Sequence, residues 1–169
     1  MKMKRFTKIA MIAAIYATLT LALAPLSFGV YQIRVAEALT VLPILYPPAI
    51  LGLTLGCAIS NLLGALLGVN VLGFIDVFVG TAATFLAAVC AYKLRHIQWN
   101  GVAWLSILMA VIFNAIIIGA ELAFVITPQT FLAGWITFGL EVGLGELVAC
   151  TIFGVPLLYS LKKTTLFED

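Results

Sequence analysis

The sequence predicts an all-α integral membrane protein: one bundle of six transmembrane helices with both termini cytoplasmic, built as a single transmembrane domain over residues 1–169. Three observations predict it. Hydrophobic residues make up 64% of the 169-residue chain and charged residues only 9%, with a mean hydropathy of +1.20. A soluble domain is about a quarter charged, so lipid is the solvent that suits this composition. Apolar runs near the roughly 20 residues needed to cross a bilayer recur along the chain. The basic residues then fall almost entirely into loops on one side, as cytoplasmic loops require.

Helix 1 is expected over residues 8–25. Lys2, Lys4, Arg5 and Lys8 precede an apolar run ending in Ala22-Leu23-Ala24, which has the shape of a secretory signal. Pro25 stands where the first mature residue would be and disfavours cleavage, so the run reads as a membrane helix. Helix 2 is expected over residues 32–46, ended by Pro47-Pro48. Helices 3 to 6 follow over residues 49–68, 73–92, 102–126 and 135–161, with a loop around Thr127-Pro128-Gln129.

Helix 2 is short enough to be re-entrant, and charge arbitrates. If it spans, the N-terminal basic group, Lys93 with Arg95, and Lys162 with Lys163 share one side, and only Arg34 of the nine basic residues lies opposite. If it does not span, the score falls to four of nine. Six spans fit better.

Small residues recur at helical spacing. Gly52, Gly56, Ser60, Gly64 and Gly68 form an i, i+4 ladder in helix 3, the pattern that lets membrane helices approach closely. Helix 1 carries Ala10, Ala14, Thr18 and Ala22, with Ala13 and Ala17 beside them. That stripe fits internal packing or the reception of another protein.

Five acids lie within or at the ends of the spans: Glu37, Asp76, Glu121, Glu141 and Glu146. An acid at the centre of a membrane helix costs about 2.5–3.5 kcal/mol on the insertion scale, and such residues usually line a site or cavity. The expected topology puts all five in the outer half or near the midplane, with Gln32, Arg34, Asn70 and Gln129 also outward. Several have plainer readings. Arg34 and Glu37 are spaced to pair with each other. Asp76 is placed to cap helix 4. Asn61 and Asn114 suit interhelical hydrogen bonding. Glu121, Glu141 and Glu146 have no nearby cation in sequence, so the plain structural reading is weaker for them: either some are protonated, or a ligand supplies the missing donors. Carboxylates and side-chain amides suit a flat, N–H-rich ligand such as a purine-like base, with Tyr31, Phe131, Trp135 or Phe138 stacking on its face.

The net charge of +2 does not point to nucleic acid. Cys57, Cys90 and Cys150 are isolated in apolar runs and read as packing residues. With His96 the one histidine, no metal site or cofactor is expected. The chain has no G-x-x-x-x-G-K-[ST], H-E-x-x-H or G-x-S-x-G, so it is not expected to be an enzyme.

The run Tyr31-Gln32-Ile33-Arg34-Val35-Ala36-Glu37-Ala38-Leu39-Thr40-Val41-Leu42-Pro43 resembles the signature of the QueT family. Residues 48–61 and the run Asp76-Val77-Phe78-Val79-Gly80-Thr81-Ala82-Ala83-Thr84 are similar to it as well. The resemblance covers nearly the whole chain. It implies an S component, the substrate-binding subunit of an energy-coupling factor (ECF) importer in the bacterial cell membrane. Its cargo would be a queuosine precursor of the 7-deazaguanine type, captured from outside. Its partners would be a transmembrane coupling protein (T component) and two ATPase subunits that supply the ATP hydrolysis. It also implies docking through an A-x-x-x-A motif in helix 1, which Ala10 with Ala14 and Ala13 with Ala17 both match. The binding residues expected are Glu121, Glu141, Glu146, Asn61, Asn114, Gln32, Arg34 and Glu37. Fold does not fix the ligand, so an S component for another vitamin and a stand-alone proton-coupled or facilitative carrier stay open, as does a purely structural membrane subunit.

Overall fold

The structure is a computed structural model that describes residues 2–29, 32–164, 166 and 167. The described residues form helices and connecting turns: α1 (Lys2–Ala22), α2 (Val35–Leu45), α3 (Ala49–Leu66), α4 (Ile75–Leu94), α5 (Trp104–Ile126) and α6 (Pro128–Lys162). Five of them are long and apolar enough to cross a membrane; α2 is an apolar helix too short to meet that measure.

The burial pattern is that of a bundle in lipid. The outward faces carry Leu66, Phe78, Phe124 and Leu140, all more than half exposed. The interior holds Gln32, Arg34, Glu37, Asn61, Asp76, Asn114 and Glu146, each no more than 2% exposed. Polar groups in a membrane protein face the bundle interior because lipid offers them no partner.

Glycines set the helix approaches. A Cβ on Gly52 would lie 2.9 Å from Ile12 Cβ and from the Ile9 carbonyl, and one on Gly56 would lie 2.8 Å from Tyr16 Cβ. The first half of α3 therefore meets the middle of α1, with numbers rising together, so the two helices run parallel. The chain between them must return through the bundle, and residues 23–48, including α2, make that return. On the other side, a Cβ on Gly119 would come 2.6 Å from Gly139 Cα, which brings α5 and α6 nearly backbone to backbone as small residues allow.

α2 begins later than expected. Gln32 has φ 41°, a left-handed conformation that no helix continues through, so residues 32–34 are not helical and the helix starts at Val35. Its first seven residues, Val35–Val41, are 3-10, which rises about 2.0 Å per residue against 1.5 Å for an α-helix and carries the chain further per residue. Tyr46 is extended and ends it ahead of the two prolines.

α6 begins earlier than expected. The loop at Thr127-Pro128-Gln129 contracts to Thr127 and one 3-10 turn, Pro128–Thr130, that leads directly into α-helix. Within α6, Ala149–Gly154 is π-helical just before Pro156. A proline has no N–H for the turn behind it, and a widened turn is a common relief. This π segment packs on the 3-10 part of α2: a Cβ on Gly154 would sit 3.2 Å from Val41 Cγ1. α1 starts earlier than expected, at Lys2, and ends before Pro25, which opens the short turn Ala24–Ser27.

Tyr46 gathers one end of the bundle. Lys8 Nζ lies 5.3 Å from its ring centroid, and Phe167 stacks on it at 5.1 Å. Lys162 Nζ donates to the Gly101 carbonyl at 2.8 Å. The start of α1, the end of α2, the α4–α5 loop and the end of α6 therefore share one end.

A buried polar cluster as candidate functional site

Arg34 holds the centre of the interior. It precedes α2 with φ −89° and ψ 89°, so its side chain does not follow helical spacing to Glu37. Its Nη2 instead faces Asp76 Oδ2 at 3.5 Å, and Phe28 lies against its guanidinium, 5.6 Å from the ring centroid. The expected Arg34–Glu37 pair is thus replaced by an Arg34–Asp76 pair joining the segment before α2 to the first turn of α4.

Asp76 is correspondingly not a helix cap: no side chain caps the start of α4. Its Oδ2 also accepts from Asn70 Nδ2 at 2.8 Å, and Asn61 Nδ2 donates to its backbone carbonyl at 2.8 Å. Antiparallel packing of α3 and α4 makes this possible, with Asn61 opposite Asp76 and Cys57 opposite Thr84. Cys57 Sγ takes contacts from Arg34 Nη1 at 3.8 Å, Asn61 Nδ2 at 3.5 Å and Thr84 Oγ1 at 3.4 Å.

Glu37 joins the cluster through two hydroxyls. Its Oε1 accepts from Tyr16 Oη and from Thr84 Oγ1, the latter at 2.9 Å. Glu121 lies within electrostatic reach of Asp76 and Arg34, and Glu146 within reach of Glu37 and Arg34. Four acids from α2, α4, α5 and α6 thus lie within electrostatic reach of one arginine, with Asp76 in direct contact.

Their hydrogen bonding is incomplete. Among the described residues, Gln32 Nε2, Arg34 Nε, Glu37 Oε2, Asn61 Oδ1, Asp76 Oδ1, Asn114 Nδ2, both oxygens of Glu121 and Glu146 Oε2 are buried with no hydrogen-bond partner. An unmatched buried polar atom costs about 1–3 kcal/mol, and folded proteins leave few of them. So many such atoms on and around Arg34 make this the candidate site.

Of the eight residues expected to bind, seven are buried: Gln32, Arg34, Glu37, Asn61, Asn114, Glu121 and Glu146. Glu141 is not brought in. It is half-buried and lines a shallow groove of about 290 Å³ with Ile33, Leu144, Gly145 and Val148. The expected stacking aromatics also sit elsewhere. Phe131 and Trp135 pair at 5.8 Å on an outward apolar groove of about 500 Å³ beside Glu121, Phe138 packs with Leu72 and Ile118, and Tyr31 lies outside the described residues. Among the described residues, the aromatic rings at the cluster are Phe28, against Arg34, and Tyr16, bonded to Glu37. Tyr16, Cys57 and Thr84 join the cluster without having been singled out as binding residues. Among the described residues, no group of three or more His, Cys, Asp or Glu is arranged to hold a metal ion.

The helix 1 stripe divides. Ala13 and Ala17 are buried, Ala13 with its carbonyl against Gly56 of α3, so both are turned inward and leave no surface for a partner. Ala10, Ala14, Thr18 and Ala22 are exposed along the other side.

No curated protein and no solved structure gives a match. A family model described as QueT transporter matches residues 6–163, nearly the whole chain. With a multi-pass apolar bundle built around a polar interior, that match settles the class: the chain belongs to the QueT transporter family.

Proposed function

We propose that the chain is the substrate-binding S component of an ECF importer, taking a 7-deazaguanine queuosine precursor from outside the bacterial cell. The observation that carries the reading is the imbalance of the buried cluster. Glu37, Asp76, Glu121 and Glu146 share the one cation Arg34 among the described residues of the cluster, and several of their oxygens lack a donor. A flat base with several N–H groups supplies donors, and an aminomethyl substituent on it adds a cation. Asn61 Oδ1 offers a further acceptor, and Gln32 and Asn114 offer amide donors for ring nitrogens or a carbonyl.

The parallel packing of α1 and α3 supports six passes with both ends on one side, since α2 must carry the chain back. The Lys93–Arg95 loop and Lys162 meet at that end, which is where a cytoplasmic face would collect positive charge. The exposed Ala10–Ala14 side of α1 is the docking face for the coupling protein, and ATP is hydrolysed by the partner subunits.

Titration of purified protein with deazaguanines tests the ligand. Saturable binding of 7-aminomethyl-7-deazaguanine is expected; binding of riboflavin or thiamine instead would reject the cargo and keep the class. Glu146→Ala and Glu121→Ala should each weaken binding by about 1.5–3 kcal/mol, the worth of a charge-assisted hydrogen bond, or at least tenfold in Kd. Unchanged affinity in both variants would move the site elsewhere. For docking, Ala14→Leu should spare ligand binding and abolish co-purification with the coupling protein, because a leucine fills the close approach that small residues provide.

A second reading has its own support. Glu121 and Glu146, buried acids without a full set of partners, also suit a proton relay in a carrier acting alone. Uptake into liposomes containing only this chain, driven by a pH gradient, would favour that carrier.

A further inference from the structure

Tyr16 is the side chain through which α1 reaches the buried cluster. It is fully buried and its hydroxyl donates to Glu37 Oε1. Its backbone carbonyl is held by Thr20 Oγ1 at 2.9 Å, and its Cβ lies against Gly56 with no room for an added methyl group. The other carboxylate oxygen of Glu37, Oε2, is buried without a partner. Glu37 thus has one oxygen committed to α1 and one available to a ligand. Ala14 lies about 160° around the helix from Tyr16, at 100° per residue, and is exposed. One helix therefore touches the cluster on one side and presents its small-residue face on the other.

We propose that Tyr16 is a positioning residue that couples occupancy of the cluster to the outward face of α1. A ligand donor that engages Glu37 Oε2 shifts or reorients the carboxylate. Tyr16 follows Oε1, and the close contact of α1 with Gly52 and Gly56 converts that displacement into a change in the pose of α1 on α3. A rigid, closely packed helix transmits such a shift because packed interiors do not deform continuously. The inference rests on the reading of the cluster as a deazaguanine site and of the exposed α1 side as a docking face. The Tyr16–Glu37 bond adds to that reading a specific physical link between them.

The test uses the full chain in nanodiscs, with Ala14→Cys carrying a trifluoromethyl label in a Cys90→Ala background and 7-aminomethyl-7-deazaguanine at saturation. On otherwise native protein the fluorine resonance should shift on adding the ligand. Tyr16→Phe should abolish that shift at a probe concentration that saturates the variant, its Kd being measured first. Thr84→Val, which removes the other donor to Glu37 Oε1, should keep it, separating the Tyr16 link from general loosening of the cluster. A label that ignores the ligand in the native background, an undiminished shift in Tyr16→Phe, or equal loss in Thr84→Val would each overturn the coupling while the binding site stands. No saturable binding of the probe by the native chain would overturn the cargo assignment and the coupling together.

Discussion

Arg34→Met is expected to destabilise the protein by about 3–5 kcal/mol, the scale for breaking one side of a buried ion pair. The cause is the charge left behind. Asp76 would keep Asn70 as a donor but lose its cation, and Glu37, Glu121 and Glu146 would lose the positive group that acts on them. The side chain itself is of similar length and apolar, so packing against Phe28 is largely kept. The midpoint of heat- or SDS-induced unfolding in mild detergent, followed by loss of helical signal, measures the effect. The double variant Arg34→Met/Asp76→Asn separates two roles. If Arg34 serves Asp76 alone, neutralising Asp76 restores stability fully. If Arg34 is the countercharge for the whole cluster, recovery is partial, about half of the loss. Partial recovery is the expected result. A single variant as stable as the native chain would mean that the interior acids need no cation.

Much of the bundle is legible in the sequence because lipid imposes one rule on it. Each spanning segment must be helical and apolar, so hydropathy alone finds α1, α3, α4, α5 and α6 to within a few residues over most of their ends. The rule weakens where backbone conformation decides. Nothing in the hydropathy of Gln32-Ile33-Arg34 reveals the left-handed φ of Gln32, and that one residue delays the start of α2 and turns Arg34 out of helical register. Spacing along a helix then suggests Glu37 as its partner, whereas the fold supplies Asp76, 42 positions away.

The acids were visible as costly residues, and their burial follows from that cost. Which of them meet was not visible. Glu141 and Glu146 look equivalent in sequence, but five positions on an α-helix are about 500° of rotation, and only Glu146 turns inward. Tyr16 and Thr84 carry a weaker signal, because a hydroxyl in a membrane helix is cheap enough to pass for ordinary packing. Tyr16 does stand alone as a large polar-tipped residue among Ala13, Ala14 and Ala17, a signal that its ring has a specific place to go.

Gly80→Ala is the smallest substitution expected to have a large effect. A Cβ at this position of α4 would stand 2.0 Å from Asp76 Oδ1 and 2.7 Å from Asn61 Nδ2, so both side chains must move. Elsewhere such ends could swing into solvent. Here both are fully buried and each is committed: Asp76 to Arg34 and Asn70, Asn61 to the Asp76 carbonyl. Displacing Asp76 breaks the ion pair from the acid's side, at a cost of the same order as removing Arg34, about 3 kcal/mol or more. The alanine should help α4 by about 1 kcal/mol through helix propensity, which does not offset that loss. Two measurements distinguish this account from a general packing defect. Asp76→Ala in the Gly80→Ala background removes the obstructed carboxylate and should recover part of the lost thermal stability. Neither variant should regain ligand affinity, because Asp76 no longer holds Arg34 in place among the four acids. Native affinity in Gly80→Ala would show that the Asp76 carboxylate has room to move without disturbing the cluster, and that the Arg34–Asp76 pair does not position the site.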